Sequence, residues 1–246
     1  MNPLYFSSKG PRIANEDSYL IHRDKKGGLI LVIADGLGGH KSGKYASHYA
    51  TTNFINKINN IEDLSSETFT KILTEIHSEL LALGETDDSK KGMATTLTAI
   101  YINSENHLWG VHIGDSRAYL LRENGLQQLT IDHTEAQKLF NDGLLTKEEL
   151  INYPRKNILS TALGAKKNSL DIQTFTYELE NNDRVLLATD GFYNNLHKRQ
   201  IRDLSIEYSE FSEFFFELLL LCRQTEIKDN YSVIGVEVAN NQLNEA

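Results

Sequence analysis

Four of the most apolar runs in this chain are bounded by an aspartate. Leu29–Ala34 (LILVIA) leads into Asp35-Gly36, and Leu108–Ile113 (LWGVHI) leads through Gly114 into Asp115-Ser116. Arg184–Ala188 (RVLLA) leads through Thr189 into Asp190-Gly191, and Asp229-Asn230 precedes Tyr231–Val238 (YSVIGVEV). Short runs that are apolar at nearly every position suit strands buried on both faces, so their polar ends fall where the chain leaves the core. One Asp-Gly is an ordinary turn pair, since both residues tolerate turn backbone. Four such aspartates at the mouths of buried strands are harder to assign to turns alone. If those ends converge, the carboxylates repel one another, and either their pKa values rise or a cation compensates them. A further acidic pair, Glu16-Asp17, precedes the strand Ser18–His22.

The remaining pattern sets the fold class. Thr95–Ile102 and Arg117–Leu121 are further β-rich runs, and Asn124-Gly125 after Leu121 predicts a two-residue hairpin loop of type I′. Apolar residues at helical spacing predict helices over Ala46–Ile58, Phe69–Leu83 and Phe211–Gln224. A helical pattern over residues 134–151 carries Gly143 in its middle and predicts two short helices. Strands come in groups and helices in pairs, without the strict alternation of a parallel sheet. That order predicts an α+β fold, with antiparallel sheet packed against helix pairs. The three prolines are scattered and no Pro/Gly/Ser-rich linker divides the 246 residues, so the chain reads as one large domain.

Composition removes several chemistries. The net charge of −9 argues against a nucleic-acid binder, which needs a basic face. The single cysteine, Cys222, excludes a disulfide scaffold or a multi-cysteine zinc site. Six residues after it stands Lys228 rather than the arginine of a Cys-x5-Arg phosphatase loop, and the apolar helical segment around it suits an inert thiol. The eight histidines show no HExxH spacing, and no GxSxG elbow occurs. With neither a signal peptide nor an apolar run of about 18 residues, the expected compartment is the cytoplasm, with no membrane partner.

What remains is oxygen chemistry. Carboxylates alone select a hard ion, manganese or magnesium (Mn²⁺ or Mg²⁺). Two such ions a few ångströms apart activate a bridging water for in-line attack on phosphorus, which points to metal-assisted phosphate-ester hydrolysis. Arg12, in Arg12–Asp17 (RIANED), offers a guanidinium fork that holds two phosphate oxygens at once. In residues 35–43 (DGLGGHKSG) the glycines let the backbone approach an ion and let Gly36 offer its carbonyl. This is not a P-loop, because His40 rather than glycine precedes Lys41. His40 is a candidate proton donor to the leaving oxygen. The plain alternatives are a solvated surface arginine and a helix-entry histidine.

Together these segments resemble the metal-dependent protein phosphatases, the PPM or type 2C serine/threonine phosphatases, in compact bacterial form. The likeness runs from Gly10 to Val238 in family order. It comprises RIANED, Ala34–His40 (ADGLGGH), Gly92–Ala99 (GMATTLTA), Gly114–Arg117 (GDSR), Asp132-His133, Pro154–Gly164 (PRKNILSTALG), Thr189–Gly191 (TDG) and Asp229-Asn230. The resemblance implies a four-layer αββα fold, a central antiparallel β-sandwich flanked by helix pairs. It implies a single phosphatase domain over residues 1–240, a mobile flap at 132–162 and a short tail at 241–246. By position, Asp35 bridges two metals, Gly36 adds its carbonyl, and Asp190 and Asp229 complete the binuclear site. Asp115 helps Asp190 hold a third ion, Glu16 and Asp17 act mainly through bound water, and Arg12 grips the substrate phosphate. The implied activity is hydrolysis of phosphoserine and phosphothreonine in phosphorylated proteins by a metal-bridging water. A monomer opposing a bacterial serine/threonine kinase is the expected setting.

The chain departs from the family pattern at Thr189, where serine is common, at Ile227-Lys228, and at Lys44, where an acidic residue is frequent. None of these removes a ligand. Two other readings are a non-catalytic phosphoprotein-binding regulator with the same fold and a two-metal nuclease. Arg12, Asp35, Asp190 and Asp229 standing together weigh against the first, and the charge of −9 against the second. For Asp115 the alternative is a turn residue with Arg117 as its salt-bridge partner.

Overall fold

The computed structural model describes residues 1–38, 41–59, 61, 64–166 and 170–238. In chain order the strands are β1 (Leu4–Ser8), β2 (Ser18–Arg23), β3 (Leu29–Ala34), β4 (Gly36–Leu37), β5 (Ala94–Thr95) and β6 (Leu97–Ile102). They continue with β7 (His107–Ile113), β8 (Arg117–Arg122), β9 (Gly125–Gln128), β10 (Gln173–Glu178), β11 (Arg184–Ala188) and β12 (Tyr231–Glu237). The helices are α1 (Lys41–Ile58), α2 (Ser66–Thr86), α3 (Glu135–Asn141), α4 (Lys147–Asn152), α5 (Asp190–Tyr193), α6 (Lys198–Glu207) and α7 (Phe211–Arg223). Two five-stranded antiparallel sheets form, in the orders β10-β7-β6-β3-β2 and β1-β12-β11-β8-β9, and β4 pairs with β5 separately.

Strand β3 shows why the layers stack as they do. All six of its residues are buried, so both faces are covered. Leu29, Leu31 and Ile33 join Val185, Leu187, Ile234 and Val236 in a core between the two sheets. Ile30 and Val32, on the opposite face by the two-residue period, join Ala50 and Phe54 of α1 and Ile72 and Ile76 of α2. On the far side of the second sheet, Tyr119, Leu186 and Val233 lie beneath Phe214 and Leu218 of α7 and Ile201 of α6. Each large apolar side chain buried in these seams contributes about 1.5–3 kcal/mol. The result is the expected α+β arrangement in four layers, helices–sheet–sheet–helices.

Details differ from the sequence expectation. The run Thr95–Ile102 is interrupted at Thr96. Thr95 pairs with Gly36, whereas the strand from Leu97 onward pairs with β7 and, from Thr98, with β3. The β8–β9 loop is Glu123-Asn124 rather than Asn124-Gly125, because Arg122 pairs with Gly125, and Glu123 takes the left-handed backbone at φ 50°. This register sets Leu126 opposite Leu121, keeping both in the seam beneath α6 and α7; an Asn124-Gly125 loop would instead set Leu126 opposite Glu123. The 134–151 segment does form two helices, α3 and α4, with Gly143 at φ 73° between them. Among the described residues no helix is long and apolar enough to cross a membrane.

Candidate active site

The carboxylates at the strand mouths converge at one end of the sandwich. Asp35 leaves β3 where its backbone is fixed on three sides. Its N–H donates to Thr96 Oγ1 at 2.9 Å, and its carbonyl accepts from Thr96 N–H at 2.9 Å and from Thr95 Oγ1 at 2.8 Å. Gly36 then packs so closely that a Cβ there would lie 2.2 Å from the Gly43 carbonyl oxygen, so no other residue fits. Asp190 opens α5 directly after β11, and Asp229 stands before β12, the neighbour of β11. Arg12, Glu16, Asp35, Gly36, Asp190 and Asp229 all line one cavity of about 290 Å³. A larger cavity, about 790 Å³, lies at the other end of β3 around Tyr101 and Trp109 and holds none of these residues.

Asp17 lies behind that cavity, buried. Its Oδ2 accepts from Thr189 Oγ1 at 2.9 Å and from Ser232 Oγ at 2.6 Å, while its Oδ1 is buried without a partner. Glu16 is tied by its backbone: its N–H donates to Asn230 Oδ1 at 2.8 Å, and its carbonyl accepts from Gly36 N–H at 3.2 Å. Asn230 is buried, and its amide also donates to the carbonyls of Lys9 and Ala14 at 2.8 and 2.9 Å. One side chain thereby sews the Arg12–Asp17 loop to the end of β12. Arg12 reaches across to Asp229, donating Nη2 to Oδ2 at 2.6 Å and Nε to the Lys228 carbonyl at 3.3 Å.

Asp115 is 7% exposed and opens into an adjoining cleft rather than the first cavity. It follows Gly114, whose φ of 105° and close approach to Thr96 (2.5 Å from a built Cβ to Cγ2) demand glycine. Arg117 is not its salt-bridge partner. The guanidinium grips Asp132 instead, with Nε to Oδ1 at 2.9 Å and Nη2 to Oδ2 at 2.6 Å, and stacks 3.7 Å over the Tyr193 ring. The hairpin β8–β9 returns Asp132 beside Arg117, which sequence separation alone did not reveal. His40 lies outside the described residues.

The electrostatics express a shortage of positive charge. Burial, then neighbouring Asp190 and Asp229, push Asp17 up to about 7, even against the hydroxyls of Ser232 and Thr189. Burial, then Asp190 and Asp132, push Asp115 up to about 8. Asp35 is raised well above the carboxylate range by burial and then by Asp17, Asp190, Asp115 and Asp229. Asp190 is raised by burial and then by Asp229. Among the described residues no three of these side chains stand close enough to cage an ion as they are, for Arg12 holds Asp229 and the hydroxyls hold Asp17. The donor set still fits hard divalent cations: it is all oxygen, it carries excess negative charge, and it includes a buried carboxylate oxygen with no partner.

Sequence reasoning located the acids but missed what orients them. Asn230, Ser232 and the Thr95-Thr96 pair act here through hydrogen bonds, and only the adjacency of Asn230 to Asp229 hinted at this. The Thr189 departure is conservative, because its hydroxyl supplies a bond to Asp17 that serine could also make.

The profile of the protein phosphatase 2C family matches residues 11–245. The chain belongs to the protein phosphatase 2C family. A serine/threonine phosphatase, stp, of Listeria welshimeri is 32% identical over 236 residues, 91% of this chain and 90% of its own. Protein phosphatase PhpP of Streptococcus pneumoniae is 33% identical over 204 residues, 79% and 80% of the two chains. The S. agalactiae serine/threonine phosphatase superposes with a TM-score of 0.87 at 26% identity, over 96% of this chain and 99% of its own. The catalytic domain of the serine/threonine protein phosphatase PstP, solved in complex with two manganese ions, superposes with a TM-score of 0.81 at 29% identity, over 97% and 98%. Protein phosphatase 2C architecture thus accounts for the paired sheets, the outer helices and the carboxylate end of the sandwich.

Proposed function

We propose that this protein phosphatase of the 2C family hydrolyses phosphoserine and phosphothreonine in phosphorylated proteins with the help of divalent ions held by its strand-end carboxylates. The observation that carries the reading is the meeting of one arginine, Arg12, with Asp35, Asp190 and Asp229 in a single cavity. Asp35, the Gly36 carbonyl, Asp190 and Asp229 would hold two ions, Mn²⁺ or Mg²⁺, and Asp115 with Asp190 a third. Glu16 and Asp17 would act through water. Bound there, the ions supply Lewis-acid stabilisation of phosphoryl charge and a more acidic water.

The chain's own residues do the positioning. Arg12 leaves Asp229 for the phosphate, where its fork fixes two oxygens and aligns phosphorus for attack on the side opposite the leaving serine or threonine oxygen. Asn230 holds the Arg12 loop in register with Asp229, so the phosphate grip and the carboxylates keep a fixed spacing. Behind the cavity, the unpartnered Oδ1 of Asp17 is an acceptor for a bound water, with Oδ2 anchored by two hydroxyls. His40 is assigned the proton for the leaving oxygen. The phosphatase unit spans residues 1–240, with 132–162 as the flap beside Asp115. In the cell the reading places a cytoplasmic monomer opposite a serine/threonine kinase.

Hydrolysis of p-nitrophenyl phosphate and of a phosphothreonine peptide, with Mn²⁺ or with excess EDTA, tests the proposal. Turnover of both substrates only with Mn²⁺ is expected. Full turnover in excess EDTA, or none under either condition, would contradict it.

A further inference from the structure

Between the flap and the start of α6 lies a second cleft of about 480 Å³, opening beside Asp115. Lys147 and Lys156 of the flap and Lys198 of α6 line it, together with Arg117 and Asp132. Its charges do not balance. Arg117 and Asp132 neutralise each other through their two-pronged contact. The flap acid Glu135 is taken by Arg155 at 2.8 Å and by the Tyr153 hydroxyl at 2.9 Å. Glu149 is turned onto Thr146 at the head of α4, accepting from its N–H at 2.8 Å. Among the described residues Lys147, Lys156 and Lys198 form no ion pair, and Lys156 donates only to the Ile151 carbonyl at 3.2 Å.

Three ammonium groups therefore share a concave site with one unpaired carboxylate, Asp115, which the proposed function commits to an ion. Burial lowers the pKa of Lys198, and the charges of Arg117 and Lys147 add to this while Asp132 opposes them. On a protein of net charge −9, this is a local reversal of sign. A cleft lined by one sign of charge concentrates ligands of the other. Leu150 and Ile151 line the same wall, and Ile151 is 60% exposed, so the cleft also offers apolar surface to a polypeptide. Asp115 borders this cleft and acts electrostatically on Asp35, which lines the first cavity, so the two sites are near neighbours.

We propose that this cleft is a subsite for an anionic side chain of the substrate protein, a second phosphate or a carboxylate, a few residues from the phosphoresidue being hydrolysed. The proposal rests on the phosphatase reading and adds a substrate class to it, acidic or multiply phosphorylated segments.

The test uses the Mn²⁺-loaded protein and a set of phosphothreonine peptides of one sequence. Flanking positions on either side are alanine, glutamate or a second phosphothreonine. The expected kcat/KM is about five- to tenfold higher for the best-placed acidic peptide than for the alanine peptide, and 0.5 M salt shrinks the ratio toward one. In the double variant Lys147→Gln/Lys198→Gln the ratio falls to about one, and Lys198→Arg alone retains it. A larger gain with phosphothreonine than with glutamate identifies a second phosphate as the occupant; an equal or larger gain with glutamate identifies a carboxylate. Either outcome supports the subsite. Equal kcat/KM for acidic and neutral peptides, or a preference that survives the double variant, overturns it. Absence of turnover on every peptide and on p-nitrophenyl phosphate overturns the phosphatase reading and the subsite with it, an outcome distinct from a flat preference in an active enzyme.

Discussion

The Arg12 guanidinium donates to an Asp229 carboxylate oxygen at 2.6 Å, joining residues 217 apart in sequence. Both side chains are about half exposed, 57% and 41%, so the pair contributes only about 0–1 kcal/mol to stability. Such a pair is easily exchanged. The arginine can leave for a phosphate, and the carboxylate can turn to a cation, without a large cost to the fold.

Arg12→Ala is expected to raise KM for p-nitrophenyl phosphate more than it lowers kcat, because a fork that binds ground-state phosphate contributes largely uniform binding. The same change removes a positive charge from the carboxylate cluster. Half-saturating Mn²⁺ measured without substrate should therefore fall. Steady-state kinetics and metal titration read the two effects separately, and an unchanged KM would return Arg12 to the solvated surface.

Asn230→Ala leaves the Glu16 N–H and the Lys9 and Ala14 carbonyls without their partner. An unsatisfied buried polar group costs about 1–3 kcal/mol, and these three groups are only part-buried, so together they cost about that much. A melting temperature lower by roughly 5–10 °C is expected, together with a raised KM as the Arg12 loop loosens. Thermal melting followed by kinetics below the transition checks both. A variant with wild-type KM would show that Arg12 is placed without this tie.

Asp115→Ala separates a catalytic from a structural carboxylate. Its backbone carbonyl accepts from the Tyr193 hydroxyl at 2.9 Å, a bond the substitution keeps. Removing a buried, repelled carboxylate should leave the metal-free melting temperature unchanged or raised. Turnover should fall on the order of tenfold or more, the scale for losing a positioned acid–base participant. Wild-type turnover, or a loss that tracks lost stability, would make Asp115 structural.

The raised carboxylates set a pH dependence for the metal-free chain. Asp17 and Asp115 titrate near 7 and 8 when folded but near about 3.9 when unfolded, so the folded state binds more protons between those values. Their contribution to stability is full below the unfolded pKa and is lost as pH rises through 7 and 8. In excess EDTA the melting temperature should fall on the order of 5–10 °C between about pH 5.5 and about pH 8.5. Saturating Mn²⁺ should flatten that slope. Calorimetric scans across the range would decide, and a metal-free curve rising with pH would contradict the stated electrostatics.

How far the sequence reached depended on the range of the interaction. The run LILVIA is buried on both faces, so its composition alone marks a central strand, and the polar residue after it marks the strand's mouth. Helices α2 and α7 were legible because a continuous apolar stripe covers their buried faces. Strands β1 and β10 and helix α6 were not. The strands are half-buried edges of the two sheets, and α6 buries only Ile201, so packing by distant segments rather than local pattern creates them. The site divides in the same way. Asp35-Gly36 and Asp190-Gly191 carry their turn chemistry with them. The Arg117–Asp132 pair and the Asn230 network exist only after loops close, and single-sequence periodicity holds no trace of that closure.

The central claim is that Asp35, Asp190 and Asp229 form one cation site. Calorimetric titration of Mn²⁺ into the metal-free protein, with Asp35→Asn alongside, tests it most directly. The account predicts uptake of at least two ions by the unsubstituted chain and loss of that uptake in Asp35→Asn with its fold retained. No uptake by the unsubstituted chain, or equal uptake by the variant, would contradict it.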